Sequence, residues 1–278
     1  MAVALPDKGD PKTIYVVDIS SYVFRAYHAL PPLSNSKGEP THAVAGVSSM
    51  LLKLLREHEP HTLIVAMDSK GPTFRKEMFE AYKANRPPAP PDLHQQMLRV
   101  REIVDAWGMT PLEAPGFEAD DIIATLVREA RENGLRVVIV SADKDLLQLV
   151  GDDVVMYDTM RGKVFGPEET IEKFGVEPRQ VRDLLALMGD SSDNVPGVPK
   201  VGIKTAIKLI DRFGTMEKVL DHADEVKGKV GENLKEFADQ ARLSKELVTI
   251  ALDAPVEFEW DELVPTEPDN EKLIELFK

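Results

Sequence analysis

The stretch Thr13-Ile14-Tyr15-Val16-Val17-Asp18-Ile19 decides how the chain reads: a short, largely β-branched run without polar alternation that carries an acid at its end. Runs of this kind belong to strands buried on both faces. The pattern recurs at Thr62 to Met67, followed at once by Asp68, and at Arg136 to Ser141, followed two residues later by Asp143. Between these runs lie helix-length segments with apolar residues at three- and four-residue spacing. They are Ala43 to Glu57, Asp92 to Trp107, and Ala119 to Arg131, the last terminated by Gly134. Strand, helix, strand in this order implies an α/β fold: a mostly parallel central sheet flanked by helices. Sites in such sheets lie beyond the carboxyl ends of the strands.

With 278 residues and 43% hydrophobic content, the chain can bury a substantial core. Cysteine is absent, which excludes disulfides, cysteine-ligated zinc and thiol nucleophiles, and leaves oxygen and nitrogen as ligands. No apolar stretch approaches the roughly 20 residues of a membrane span, so a soluble cytoplasmic protein without membrane contact is expected. The formal charge of −14 reads most simply as solubility. Acids gathered at a metal site would be offset by bound cations, leaving separate Lys/Arg stretches free to face phosphates.

Residues 1–166 are read as the α/β core, with the mixed-charge, Pro-rich segment Lys70 to Pro91 as a mobile excursion rather than sheet. From about Pro167 short helices and Gly/Pro hairpins replace the strand signal, giving a helical lobe over 167–252 and a C-terminal extension over 253–278.

Three predicted strands run into acids: Asp18, Asp68, and Asp143 with Asp145. One acid after a strand is ordinarily a turn residue or helix cap; three at one sheet edge are not so easily dismissed. Glu118, Asp120 and Asp121 open a helix, where acids also favour the helix dipole, and Asp190 and Asp193 stand in a Gly/Ser/Asn loop where capping is an equal reading. If these nine converge, two unit charges about 4 Å apart repel by about 4 kcal/mol at an effective dielectric of 20. Hard divalent cations would be needed, and all-oxygen ligation suits Mg²⁺ or Mn²⁺. Two such ions can activate water and stabilise the leaving oxygen of a phosphodiester.

The run Gly197-Val198-Pro199-Lys200-Val201-Gly202-Ile203-Lys204-Thr205-Ala206 is a helix-hairpin-helix signature. Its glycines permit close backbone approach, and amides at the following helix start can bind phosphate without reading bases. Lys200, Lys204 and Lys208 recur every four residues along one face; an ordinary packing unit with solvated lysines is the plainer alternative. In Phe74-Arg75-Lys76 and Tyr82-Lys83-Ala84-Asn85-Arg86, cations and aromatics interleave as suits single-stranded nucleic acid. Glu77 and Glu80 allow a simple amphipathic helix there instead.

Taken together, DISSYVFRAYHALP from Asp18, FRKEMFEAYKANRPP from Phe74, GFEADDIIATL from Gly116, SADKDLLQLV from Ser141 and LMGDSSDNVPGVPKVGIKTA from Leu187 resemble the 5′ nuclease domain of bacterial DNA polymerase I, related to flap endonucleases. The resemblance covers nearly the whole chain. It implies a monomeric, nucleoid-associated enzyme that uses two Mg²⁺ ions, with Mn²⁺ as substitute, on DNA bearing a 5′ flap, nick or 5′ end, RNA/DNA hybrids included. It implies Asp18, Asp68, Glu118, Asp120 and Asp121 around one metal, and Asp143, Asp145, Asp190 and Asp193 around a second. It places Tyr82, Lys83 and Arg86 in a helical arch near the scissile phosphate, with Arg75 at its base. Gly197, Val198, Lys200, Gly202, Lys204, Thr205 and Lys208 would bind duplex backbone, with a monovalent cation such as K⁺. Ile19 departs from the family pattern, which has Gly after the first Asp, so the shape of that loop is open. Continuation beyond Lys278 into a polymerase region would suit the resemblance. Two other readings compete: a non-catalytic DNA-binding module that uses only the hairpin, and a metal phosphotransferase or ribonuclease of related topology.

Overall fold

A computed structural model describes residues 3–278. In chain order its elements are β1 (Thr13–Asp18), α1 (Ile19–Ala29), α2 (His42–His58), β2 (Thr62–Ala66), α3 (Phe74–Met78), α4 (Pro91–Ala106), β3 (Thr110–Leu112), α5 (Ala119–Glu132), β4 (Arg136–Val140), β5 (Val154–Asp158) and β6 (Lys163–Phe165). A helical region follows: α6 (Pro167–Phe174), α7 (Val181–Met188), α8 (Ile203–Phe213), α9 (Met216–Asp221), α10 (Gly228–Glu236), α11 (Ala238–Val248) and α12 (Asn270–Leu276). One six-stranded sheet runs β3-β2-β1-β4-β5-β6, parallel throughout except for β6, which is antiparallel to β5. The mostly parallel α/β sheet read from the sequence is therefore the fold.

β1 lies at the centre of the sheet, and its side chains divide the core by the two-residue period of a strand. Tyr15 and Val17 join the apolar layer built with α1, α2 and α4. Ile14 and Val16 face the opposite layer, in which α5 packs and which runs on without a break through Leu147, Leu184 and Ala206 into the helical region. Because that second layer is shared, the helical region is fixed to the sheet and its loops can be held against the strand ends.

The sequence reading did not include β3, β5 and β6. β3 is three residues long and contains Pro111, and β6 is equally short. β5 (VVMYD) carries apolar residues like the others but has no helix before it, being separated from β4 only by the 3-10 turn Asp145–Leu149 and a short bend. The extension 253–278 turns back over the α/β core: Thr266 donates its amide to Gly108 O at 2.9 Å and Asp269 to Ala106 O at 2.8 Å. Gly108 has φ +71° and passes so close to Thr266 that a Cβ would lie 2.4 Å from its Oγ1, so the close approach requires glycine. Among the described residues, no helix is long and apolar enough to cross a membrane.

Candidate active site

At the C-terminal edge of the sheet, β1, β2 and β4 run into acids within three residues of their ends. Asp18 closes β1 and caps α1; it accepts the Ser21 amide at 3.0 Å and the Ser141 hydroxyl at 2.8 Å. No loop intervenes, and Ile19 is simply the first, fully buried residue of α1. Asp68, after β2, accepts the Ala119 amide at 2.9 Å and so ties the strand end to the start of α5. Beyond β4, the Ser141 hydroxyl accepts the Asp143 amide and Asp143 accepts that of Asp145, a tight sequence of side-chain-capped turns. The loop after α7 supplies the last pair: Asp190 and Val195 exchange backbone hydrogen bonds, and this small bridge presents Asp193 between them.

Asp18, Asp68, Glu118, Asp120, Asp143 and Asp193 line one cleft of about 210 Å³. Asp145 and Asp190 meet Glu118, Asp120 and Asp193 around an adjoining void of about 20 Å³. Burial pushes the Asp18 carboxyl up to about 7, and the Asp68 and Asp143 charges reinforce it. Asp145 is raised to about 8 by burial and then by Asp143. Asp120 is held well above the ordinary carboxylate range by burial and by Asp143 and Asp18. Asp190 goes the other way: burial opposes its charge, but hydrogen bonds from Lys144 and Ser192 hold it below its usual range.

Does this donor set suit a divalent cation? The ligands available are all oxygen, the acids raise one another's pKa, and Asp145 Oδ1 is buried without a hydrogen-bond partner. An orphaned carboxylate oxygen among like charges fits a hard cation. The described acids do not already stand as a closed cage of three or more ligands. The chain's own cations lie among them instead, with Lys144 on Asp190, Lys83 on Glu118 and Arg86 on Asp193.

Asp121 is a correction to the expected ligand set. It is fully buried and faces away from the cleft, where Arg75 grips both its oxygens at 2.8 and 2.7 Å. Its carboxylate also accepts the amides of Glu118 at 3.0 Å and Ala251 at 2.8 Å. All its acceptor capacity is used, so it is a structural anion. Arg75 lines the smaller void and also reaches Glu118 Oε2 at 3.3 Å. It is 2% exposed and donates further to Leu247 O and Thr249 O, bolting α3 to α5 and α11.

The segment between α3 and α4 contains no strand, as expected, but neither is it a free excursion. Only Phe74–Met78 is helical, and the rest folds down on the acids. Tyr82 is buried, with its hydroxyl 3.0 Å from Glu118 Oε2 and 3.2 Å from Asp193 Oδ2. Burial and the Glu118 charge raise its pKa far above the normal phenol range. Lys83 Nζ donates to Glu118 Oε1 at 2.6 Å and lies 3.7 Å from Asp193. Burial opposes its charge, and Glu118 and Asp193 outweigh that and raise its pKa. The attraction of three cationic or hydroxyl groups to two carboxylates explains the closure.

The hairpin forms as read. Gly197 has φ +62°, and a Cβ there would lie 2.3 Å from Gly189 N, so the two turns interlock only through glycine. Val198 and Val201 are buried beneath it, and Gly202 caps α8 with open space around it. Thr205 donates its amide back to Gly202 O, and Lys200, Lys204 and Lys208 are exposed. Four contributors were not singled out in the sequence. Lys144 stands between two of the proposed ligands, and its place inside Asp143-Lys144-Asp145 was the available signal. Ser20 and Ser141 orient Asp68 and Asp18, and Arg25 lines the cleft from α1 while paired with Asp158.

The chain matches two family descriptions end to end: "5′-3′ exonuclease, N-terminal resolvase-like domain" over residues 13–175 and "5′-3′ exonuclease, C-terminal SAM fold" over residues 176–271. DNA polymerase I of Bacillus subtilis (strain 168) is 45% identical over 272 residues, 96% of this chain and 31% of that protein. The chain thus spans about a third of the length of its polymerase I relatives. A 5′-3′ exonuclease of Aquifex aeolicus (strain VF5) is 42% identical over 94% of this chain and 90% of its own length. Among solved structures, T5 5′-exonuclease with bound divalent zinc ions superposes with a TM-score of 0.70 at 25% identity, covering 85% of this chain and 89% of that one. The catalytic core of Rad2 in complex with DNA shares the fold, with a TM-score of 0.62 at 17% identity over 100% of this chain and 90% of that one. The chain belongs to the 5′-3′ exonuclease family.

Proposed function

We propose that the chain is a structure-specific 5′ nuclease that hydrolyses phosphodiesters at 5′ ends and 5′ flaps of DNA, in primer removal during replication and in repair. The observation that carries this reading is the convergence of eight carboxylates, from three strand ends, the start of α5 and the α7–α8 loop, on adjoining cavities lined also by Lys83 and Arg86. Asp18, Asp68, Glu118 and Asp120 would hold one Mg²⁺ and Asp143, Asp145, Asp190 and Asp193 a second. Bound there, the two ions would supply activation of water and stabilisation of the leaving oxygen. Lys83 and Arg86 would hold the reacting phosphate and offset the charge that develops on it. The hairpin at Gly197 to Gly202, with the exposed Lys200, Lys204 and Lys208, would grip duplex backbone without reading bases. Eight of the chain's 48 acids line these cavities, and the exposed lysines of α8 do not, which leaves them free to face phosphate.

A 5′-labelled flap incubated with the protein, with and without Mg²⁺, tests the reading. Cleavage should require the ion and leave a 3′-hydroxyl on the released flap and a 5′-phosphate on the strand behind it. Binding without cleavage under every ion tried would leave only a DNA-binding module. An RNA flap in the same assay measures whether the sugar matters.

A further inference from the structure

The segment from Ala81 to Arg86 is tied to the loop Ser191 to Asn194 by more than charge. Lys83 donates its amide to Asp193 O at 2.9 Å, in a left-handed conformation (φ +54°) that a residue with a side chain adopts only when its surroundings hold it there. Asn85 Nδ2 donates to Ser191 O at 2.6 Å, and Asn194 Nδ2 to Ala81 O at 2.7 Å. These are reciprocal bonds, one side chain from each segment to a backbone carbonyl of the other. The ends of the segment are fastened independently. Phe74 donates to Gly116 O at 2.9 Å beside the Arg75–Asp121 pair at one end, and at the other Tyr27 hydroxyl contacts both oxygens of Asp92 at 2.9 Å. Opening of residues 79–90 would break the reciprocal bonds, the Lys83 and Arg86 contacts and the packing of buried Tyr82, and nothing at either anchor.

We infer that Asn85 and Asn194 are positioning residues that clasp this cationic segment onto the acids, and that closing the clasp opposes divalent-cation binding. Closure puts Lys83 on Glu118 Oε1 and Arg86 on Asp193 Oδ1, carboxylate oxygens that a divalent cation would need on either side of the cleft. A Lys or Arg side chain and a metal cannot both use one oxygen at full strength. Whatever affinity the cation has for the open arrangement is reduced by the fraction of molecules that are open. The coupling is reciprocal, so a bound cation must loosen the clasp to the extent that the clasp weakens the cation. Neither asparagine carries charge or faces the acids. Their effect on metal affinity would come only through the segment they hold.

The inference rests on the assignment of Glu118 and Asp193 as metal ligands, and the test separates the two. Mn²⁺ binding to the whole chain is measured by calorimetry for wild type, Asn85→Ala and Asn194→Gly, glycine being chosen because Asn194 has φ +57°. Each substitution should tighten Mn²⁺ binding by roughly three- to tenfold, the shift expected when one hydrogen bond of net closing energy is lost. Hydrogen exchange followed by mass spectrometry, with no DNA present, should show peptides covering 79–86 exchanging faster in both variants and, in wild type, faster with Mg²⁺ than without. Unchanged or weaker Mn²⁺ affinity in both variants, with wild type binding normally, overturns the clasp and leaves the metal assignment standing. Absence of Mn²⁺ binding in wild type overturns the metal assignment and the coupling with it. Slower exchange over 79–86 on adding Mg²⁺ overturns the coupling, because it would mean that the cation closes the segment.

Discussion

Asp68 and Asp121 stand in opposite surroundings, one exposed and one fully buried against Arg75, and substitution should separate them. Removing one partner of a buried ion pair costs about 3–5 kcal/mol, so Asp121→Asn, which leaves Arg75 buried without its anion, should lower thermal stability equally with Mg²⁺ or with chelator. Asp68 is exposed and its side chain accepts only the Ala119 amide, so Asp68→Asn should be nearly neutral in chelator and should lose part of whatever stabilisation Mg²⁺ gives. Melting curves of both variants in both conditions decide; a Mg²⁺-dependent defect in Asp121→Asn would return that residue to the ligand set. Spacing in the sequence puts Glu118 and Asp121 on one face, but an arginine 46 residues earlier claims that acid, and no local pattern announces such a pair. A second residue-scale prediction concerns pH. His58 is stacked on Tyr15 with ring centroids 5.7 Å apart, its Nε2 is buried without a partner, and burial lowers its pKa. The native state therefore binds fewer protons at this site than the unfolded chain, and stability is lost as pH falls below the ordinary histidine value of about 6.5. His58→Phe should lose less melting temperature than wild type between pH 7.5 and 5.5, and an equal loss would assign the acid sensitivity to other groups.

In the hairpin the two glycines are not equivalent. A Cβ on Gly197 meets backbone at 2.3 Å whereas Gly202 has nothing within 4 Å, so Gly197→Ala should unfold or strongly destabilise the lobe. Gly202→Ala should cost under about 1 kcal/mol, the scale of an altered N-cap, while crowding any phosphate at the start of α8. Urea denaturation together with DNA affinity tests this; equal stability losses would mean that the hairpin geometry has been misread. The two cationic elements should also separate. Lys83→Ala should reduce single-turnover cleavage at saturating enzyme by roughly 10²–10³. Lys204→Ala should leave that rate nearly intact and lower the salt slope of binding by about 0.9 if one phosphate contact is lost. A Lys83→Ala protein impaired only in affinity would remove that lysine from the chemistry. The strands and helices that position the site were legible because β1, β2 and β4 are buried on both faces and α2, α4 and α5 carry helical periodicity. The hairpin was legible because its glycines and prolines act locally. The segment after α3 was not. Its conformation is fixed by Ser191, Asp193 and Asn194, more than a hundred residues away, and sequence periodicity carries no information about such contacts.

At the scale of the whole molecule, the sheet and the helical region share one apolar layer, and acids from both line the same small void. Folding therefore buries acids and brings like charges together, and the Asp18 and Asp145 carboxyls are raised first by burial and then by their neighbours' charge. The chain offsets part of it internally through Lys83, Lys144 and Arg86, each supplied by a loop rather than by the sheet. A divalent cation that binds only the native arrangement should add stability according to its concentration, about 2.7 kcal/mol at a hundred times its Kd. For a protein of this size each kcal/mol moves the melting temperature by roughly 2–4 °C, so Mg²⁺ at that level should raise it by roughly 5–10 °C. Screening alone is a weaker effect, because salt acts poorly on buried charges a few ångströms apart. Calorimetric melting in EDTA, in Mg²⁺, and in NaCl matched to the ionic strength of the Mg²⁺ sample separates the two. A shift produced by Mg²⁺ but not by NaCl supports specific occupancy of the acid cleft, and the shift should shrink in Asp145→Ala, which removes the orphaned oxygen. Equal shifts in NaCl and Mg²⁺ would reduce the cluster to generic charge repulsion and take away its role as a metal site.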